Sequence, residues 1–395
     1  MGTQEVDPLT IAVIGPSRFP VREPYAGGLE VVVAKEVRAL RQRGHRVTLF
    51  AAAGSEGHDR RFEFTSMNPA AGLGDSYYPP GGYEADSAEF HRLMDHISVS
   101  WFDVVVNHSL SHVPLERAVE VGAPVITTLH CPRLEPMQDS FDRLGADTGQ
   151  VLAVSRSVLG SWRIPQGAEV VPNGVDTNIW RPLPANAPTS RTAVAARTPL
   201  RTGPARLPGD SGPDSSGPPR AVWTGRIVPE KGPHLAVDAA LRAGMTLDLA
   251  GRVGDRRYMQ EVLAPRIAAA GDAVRFHGPL NRDALVPLVA GAAVALVTPC
   301  WEEPFGLTAL EALACGTPVV ALARGGVREV LRGQLGVVLV EPGPDPATAL
   351  AAAVPAALIP DRAAISRAAA AAFSHEARID RVEAMLRELL AGVPS

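Results

Sequence analysis

Apolar residues along the chain fall into short continuous runs that alternate with amphipathic stretches. Leu9–Gly15 reads LTIAVIG, an unbroken run closed by glycine, which suits a parallel strand buried on both faces. Leu29, Val32, Val33, Val37 and Leu40 then recur at helical spacing over Leu29–Arg43, and Gly44 ends that helix. Arg46–Ala51 reads as a second strand. Further strands are expected at Asp103–Asn107, Pro124–Leu129, Val151–Ser155 and Glu169–Pro172, with helical segments between most of them. This is the strand–helix rhythm of a doubly wound sheet with helices on both faces.

The rhythm breaks over Leu183–Arg220, which has no aromatic residue and is more than half Pro, Gly, Ser and Thr. Such a stretch buries too little apolar surface to offset its ordering entropy, so it is expected to be a flexible insertion or interdomain linker. The rhythm then restarts. Strands are expected at Ala221–Gly225, Thr246–Ala250, Ala273–His277, Ala293–Thr298, Pro318–Leu322 and Gly336–Val340, with helices at Pro233–Ala243 and Leu307–Ala314. The tail Ser374–Gly392 carries the helical stripe Ile379, Val382, Met385, Leu386 and Leu389. The expectation is an α/β protein of two Rossmann-like domains, 1–182 and 221–373, facing a cleft. Ligands of open α/β sheets bind at the carboxyl ends of the strands, so the informative residues should follow strands.

Composition narrows the class. The 395 residues are 46% hydrophobic and 20% charged, which excludes a wholly disordered chain. A net charge of −4 gives no electrostatic footprint for nucleic acid or an anionic membrane. Only two of the 38 basic residues are lysines, Lys35 and Lys231. The three cysteines, Cys131, Cys300 and Cys315, include no Cys-x-x-Cys, so free thiols in a cytoplasmic protein are expected. No apolar run approaches the ~18–20 residues of a membrane span, and the first residues lack a signal-peptide pattern.

Four strand-end segments carry candidate chemistry. In Gly225–Gly232 (GRIVPEKG), Arg226 and Lys231 sit in a loop before a helix, an arrangement suited to a diphosphate. Two solvated surface cations are the plainer alternative. In Glu303–Glu311 (EPFGLTALE), Phe305-Gly306 should turn tightly and expose backbone N–H groups at a helix start, with Leu307 and Thr308 in its first turn. Glu311, one turn on, tilts back toward that start and can accept from a sugar diol. Glu303 can do the same for a second sugar, although both carboxylates also fit capping and surface roles. In Pro24–Glu30 (PYAGGLE), the Gly27-Gly28 pair admits a ligand close to the backbone, or forms a simple turn. In Thr127–His130 (TTLH), His130 can donate to a sugar hydroxyl or steady developing charge, or be structural. Asn107 and His108 end another strand and are candidate polar contacts for an acceptor, together with Tyr25 and His130. Tyr77, Tyr78 and Tyr83 either stack on a sugar-like acceptor or pack in a loop.

Together these segments resemble the family 4 glycosyltransferases of GT-B fold. The matching pieces are PYAGGLE, TTLH, VVPNGVDTNIWRP at 170–182, WTGRIVPEKG at 223–232, FHGPLN at 276–281, EPFGLTALEALACGTPVVA at 303–321 and FSHEARIDRV at 373–382. They run in the family's order over nearly the whole chain. The resemblance implies a nucleotide-sugar donor held mainly by the C-terminal domain, and a final helix, 374–395, that crosses back onto the N-terminal domain. It implies that Arg226 and Lys231 hold the diphosphate, Glu311 the ribose and Glu303 the donor sugar. Gly306, Leu307 and Thr308 would supply backbone amides, the stretch at Leu280 would read the base edge, Gly28 would approach the diphosphate, and His130 would be the active-site histidine. It also implies a retaining transfer, with a uridine diphosphate sugar as the usual donor. No Asp-x-Asp metal motif is present, so the enzyme is expected to need neither metal nor other cofactor. The insertion at 183–220 is longer than the family's pattern. The opening IGPSRFPVREPYAGGLE is similar to actinobacterial transferases that decorate small natural products, including aminocyclitols in antibiotic biosynthesis. A GT-B-fold epimerase and a catalytically silent sugar-nucleotide-binding subunit are the alternatives.

Overall fold

The computed structural model describes residues 7–67, 80–183 and 218–392. The stretch 184–217, which holds most of the expected insertion, lies outside the described residues, as do Tyr77 and Tyr78.

Among the described residues, twelve strands form two sheets. The first holds β1 (Thr10–Ile14), β2 (Arg46–Phe50), β3 (Val104–Asn107), β4 (Val125–Leu129), β5 (Gln150–Ala153) and β6 (Glu169–Val170), in the order β2-β1-β3-β4-β5-β6. The second holds β7 (Arg220–Thr224), β8 (Thr246–Ala250), β9 (Val274–Phe276), β10 (Val294–Val297), β11 (Val319–Leu322) and β12 (Val337–Val340), in the order β12-β11-β10-β7-β8-β9. All of these pairings are parallel. Every expected strand is present, shortened by one or two residues at some ends.

The alternation of side chains along β1 shows why its apolar run is unbroken. Ile11 and Val13 enter a core with Val33, Val37 and Leu40 of helix Gly28–Gln42. Ala12 and Ile14 enter another with Phe90, Leu93 and Ile97 of helix Gly82–Ser98. A strand covered on both faces needs apolar residues at both parities. In the second sheet, Trp223, Leu247, Leu249 and Leu296 pack with Ala236 and Val237 of helix Pro233–Arg242 and Leu350 of helix Pro346–Ala357. The opposite face packs with Ala309, Leu310 and Leu313 of helix Leu307–Ala314, and this core continues into the first half through Leu129, Val151 and Trp162.

Helix His375–Ala391 returns to the first half, where Ile379, Val382, Met385 and Leu386 complete the core that contains β1. The two halves also share polar contacts. Ser155 Oγ donates to the Pro304 carbonyl at 2.7 Å. Glu329 accepts from the N–H groups of Arg156 and Ser157 at 3.0 and 2.9 Å, closing the N-terminus of helix Arg156–Gly160. Among the described residues no single helix is long and apolar enough to cross a membrane. The three cysteines are unpaired, and Cys315 is buried.

Candidate active site

Each sheet reverses its strand order once, between β1 and β3 in the first and between β7 and β10 in the second. The loops that leave these strands flank a crevice at each switch point. Three of the four singled-out motifs lie in these loops, and the fourth, Thr127–His130, ends β4 beside β3.

The loop after β7 holds Arg226 and Lys231, and the loop after β10 runs through Cys300, Trp301 and Glu303 to helix Leu307–Ala314. The two loops are tied together. Cys300 N–H donates to the Glu230 carbonyl at 2.7 Å. Thr298 Oγ donates to the Gly232 carbonyl at 2.8 Å and itself accepts from Trp223 Nε1–H at 3.0 Å. Gly232 has φ +62°, and a Cβ there would stand 2.1 Å from the Thr298 carbonyl oxygen. Only glycine fits that position, so the loop that presents Lys231 is held by shape as well as by hydrogen bonds.

Lys231 and Glu303, 72 residues apart, meet directly. Lys231 Nζ stands 2.7 and 2.5 Å from the two carboxylate oxygens. Trp301 Nε1–H donates to Glu303 Oε2 at 2.8 Å, and Lys231 Nζ lies 5.4 Å from the centre of the Trp301 ring. The sequence assigned these two residues to separate parts of a ligand; the structure joins them in one cluster.

Gly306 takes the left-handed conformation at φ +93° and opens helix Leu307–Ala314, whose first turn includes Thr308. Its first N–H groups have no partner within the helix, and their dipole suits an anion. The Gly27-Gly28 turn of the other half lies against this end. A Cβ on Gly28 would stand 3.2 Å from Leu307 Cδ1, and one on Gly27 would stand 3.8 Å from Arg226 Cδ and Nε. The glycine pair thus brings the start of helix Gly28–Gln42 close to the loops after β7 and β10.

Glu311 is buried one turn further along its helix, with its carboxyl raised to about 7. Burial is the main cause, and Lys35 and Arg282 draw it partly back. Lys35, from helix Gly28–Gln42, is buried too, with its Nζ lacking a hydrogen-bond partner and its pKa lowered by burial. It shares a small cavity with Asn173, Leu307 and His375. Leu280 is partly buried at the edge of the core that joins the halves, just before helix Arg282–Ala290.

Two expected acceptor contacts need correction. Asn107 and His108 are fully buried. Asn107 is held by Thr127 and Ser109, and His108 by Glu36 and His130. A side chain sealed in this way cannot meet an acceptor. Tyr25 is half-buried, and its hydroxyl accepts from Arg282 at 3.0 Å with the guanidinium over its ring. His130, at the end of β4, remains partly exposed. Tyr83 stacks on His112 and hydrogen-bonds it at 2.8 Å, the packed alternative for that residue.

Glu36 and Arg378 were not anticipated. Both occupy apolar stripes: Glu36 stands between Val33 and Leu40, and Arg378 one turn before Val382. A charged residue at a stripe position is the signal that it is buried and partnered. Among the described residues no group of three or more His, Cys, Asp or Glu stands together as a metal site.

Family models and known proteins match most of the chain. Residues 26–179 match the model for Glycosyltransferase Family 4, and residues 218–359 that for Glycosyl transferases group 1. A D-inositol 3-phosphate glycosyltransferase of Xylanimonas cellulosilytica is 32% identical over 373 residues, covering 85% of both chains. Among solved structures, Anabaena Alr3699/HepE in complex with UDP and glucose aligns with a TM-score of 0.69 at 19% identity, covering 96% of this chain and all of that one. AviGT4, a glycosyltransferase involved in avilamycin A biosynthesis, aligns at 0.61 and 21% identity, covering 98% and 99%. Both structures share the GT-B fold.

Proposed function

Because the chain belongs to glycosyltransferase family 4, we propose that it moves a sugar from a nucleoside diphosphate donor to a hydroxyl of a small polar acceptor, with retention at the anomeric carbon. The observation that carries this reading is the convergence at one crevice of Arg226, the Lys231–Glu303 cluster, the start of helix Leu307–Ala314 and the Gly27-Gly28 turn.

The chemistry follows from where charge grows. As the glycosidic bond to the diphosphate breaks, negative charge accumulates on the leaving phosphate. Arg226, Lys231 and the amides at Gly306–Thr308 are the groups to meet it, with Lys231 drawn from Glu303 toward the diphosphate as it binds. Two cations and a helix start suffice for this charge, so the reaction is proposed to need no divalent ion. Glu303 would hold the donor sugar, Glu311 the ribose, Leu280 the base edge, and His130 a sugar hydroxyl. Residues 1–182 with the final helix would bind the acceptor and 221–373 the donor, and closure between them would keep water out.

Uridine diphosphate is the proposed nucleotide, supported by the UDP complex of the Anabaena neighbour. A cyclitol-like acceptor in antibiotic biosynthesis is supported by the names of the inositol phosphate transferase and the avilamycin enzyme. The test is incubation with UDP-sugars and a cyclitol panel, reading UDP release and acceptor mass, with and without EDTA. Transfer that survives EDTA and gives the donor's own anomer is expected. Epimerised donor without acceptor, or no UDP release with any acceptor, would overturn the reading.

The raised pKa of Glu311 gives a pH prediction. A ribose diol donates to a carboxylate, so nucleotide binding favours the ionised form and releases a proton wherever Glu311 is protonated beforehand. Lowering the pH from 8 to 6 should therefore weaken UDP binding by about tenfold through Glu311. In Glu311→Gln this component should vanish, leaving only the dependence of the diphosphate itself. Calorimetry of both proteins in buffers of different ionisation enthalpy reads the proton directly. Identical pH profiles in the two proteins would rule out Glu311 as the ribose ligand.

A further inference from the structure

A line of four buried or half-buried polar groups runs from the final helix to the crevice. Arg378 Nη1 donates to the Val171 and Pro172 carbonyls at 2.7 and 3.2 Å, and its Nη2 lies 3.3 Å from Glu36 Oε2. The other oxygen, Glu36 Oε1, lies 2.9 Å from His108 Nε2. His108 Nδ1 lies 2.8 Å from His130 Nε2. Glu36 is 1% exposed and His108 not at all, whereas His130, just past the end of β4, is partly exposed. Four separate elements supply this line: helix His375–Ala391, helix Gly28–Gln42, and the ends of β3 and β4.

We propose that Glu36 and His108 are positioning residues that fix the ring and the tautomer of His130, so that His130 offers Nδ1 to a sugar hydroxyl as a hydrogen-bond acceptor. The proposal deepens the glycosyltransferase reading and rests on it for the role of His130.

Donor and acceptor bookkeeping leads to the tautomer. Glu36 is ionised: burial would raise its carboxyl, but the hydrogen bond from His108 and the Arg378 guanidinium hold it at about 2. An ionised carboxylate only accepts, so the proton between Glu36 and His108 sits on His108 Nε2. With one proton on each ring, His108 Nδ1 is then a lone pair. The proton between the rings must sit on His130 Nε2, which leaves His130 Nδ1 as a lone pair. His130 is uncharged, its pKa lying well below the usual value mainly because of burial. Glu36, His108 and Arg378 are the charged or titratable groups that act on it.

The line can be inverted by one isosteric change. In Glu36→Gln, Arg378 still requires an acceptor, so the amide oxygen faces Arg378 and the amide N–H faces His108. His108 Nε2 must then accept, His108 Nδ1 must donate, and His130 must carry its proton on Nδ1. Nitrogen-15 NMR of histidine-labelled protein at pH 8 distinguishes the two tautomers, with His130 assigned by the signal lost in His130→Gln. The expected result is the Nε2–H tautomer in the wild type and the Nδ1–H tautomer in Glu36→Gln. Turnover should fall by roughly tenfold or more, while the nucleoside diphosphate Kd stays within about twofold. The wild-type spectrum alone tests the proposal if Glu36→Gln does not fold. An Nδ1–H tautomer in the wild type, an unchanged tautomer in Glu36→Gln, or an inverted tautomer with unchanged turnover would each overturn it. Failure of the wild type to transfer any sugar would instead overturn the underlying reading, which the spectra do not depend on.

Discussion

Lys231→Ala should weaken nucleoside diphosphate binding and cut turnover by about 10²–10³-fold, the effect of removing one preorganised group that meets growing charge. Glu303→Ala should cut turnover comparably, yet bind free nucleoside diphosphate as tightly as the wild type or several-fold more tightly. The opposite signs arise from the pair itself. Both carboxylate oxygens of Glu303 lie within 2.7 Å of Lys231 Nζ, so a diphosphate must draw Lys231 away from a carboxylate. Removing Glu303 frees the ammonium and deletes a negative charge beside the phosphate site. It also deletes the group proposed to hold the donor sugar, which free nucleotide lacks. Lys231→Ala has no such compensation. Calorimetry with UDP, alongside single-turnover rates, separates the two variants. If Glu303→Ala lost UDP affinity as severely as Lys231→Ala, the carboxylate would be supporting the lysine rather than competing for it.

That pairing marks where reading the sequence stops. The strands were legible because each is a continuous apolar run, and a run needs no knowledge of its neighbours. The motif residues were legible because they follow strands, and Arg226, Lys231, Glu303 and Gly28 do lie around one crevice. What periodicity lacks is the direction of a side chain in a loop. Asn107 ends β3 and His108 follows it as His130 follows β4, yet only His130 is partly exposed. Lys231 and Glu303 meet because β10 lies beside β7, and that adjacency follows from the order of the sheet rather than from either segment. Glu36 and Arg378 did leave a trace, as charges set on apolar stripes. Recognising them as partners required knowing that the last helix packs on the first domain.

A chain ended after Phe373 should fail to fold, although the cut removes only the final segment and spares both sheets. Helix His375–Ala391 is part of the first domain's core. Ile379, Val382, Met385 and Leu386 are almost fully buried among Leu9, Ile11, Val13, Val33, Val37 and Leu40. At ~1.5–3 kcal/mol per buried side chain, those four contribute roughly 6–12 kcal/mol. That is the size of the whole stability of an ordinary domain, about 5–15 kcal/mol. The cut also removes Arg378 and leaves Glu36 buried beside His108 without its guanidinium, and orphaning one member of a buried pair costs a further ~3–5 kcal/mol. The bonds from Arg43 to Asp380 and Glu383 lie nearer the surface and add little. Ending the chain after Gly392 instead keeps every one of these contacts and serves as the control. Soluble yield, near-ultraviolet circular dichroism and the melting curve of the two truncations measure the difference. A shorter chain that stayed soluble and melted cooperatively at the control's Tm would show that the final helix only covers a core complete without it.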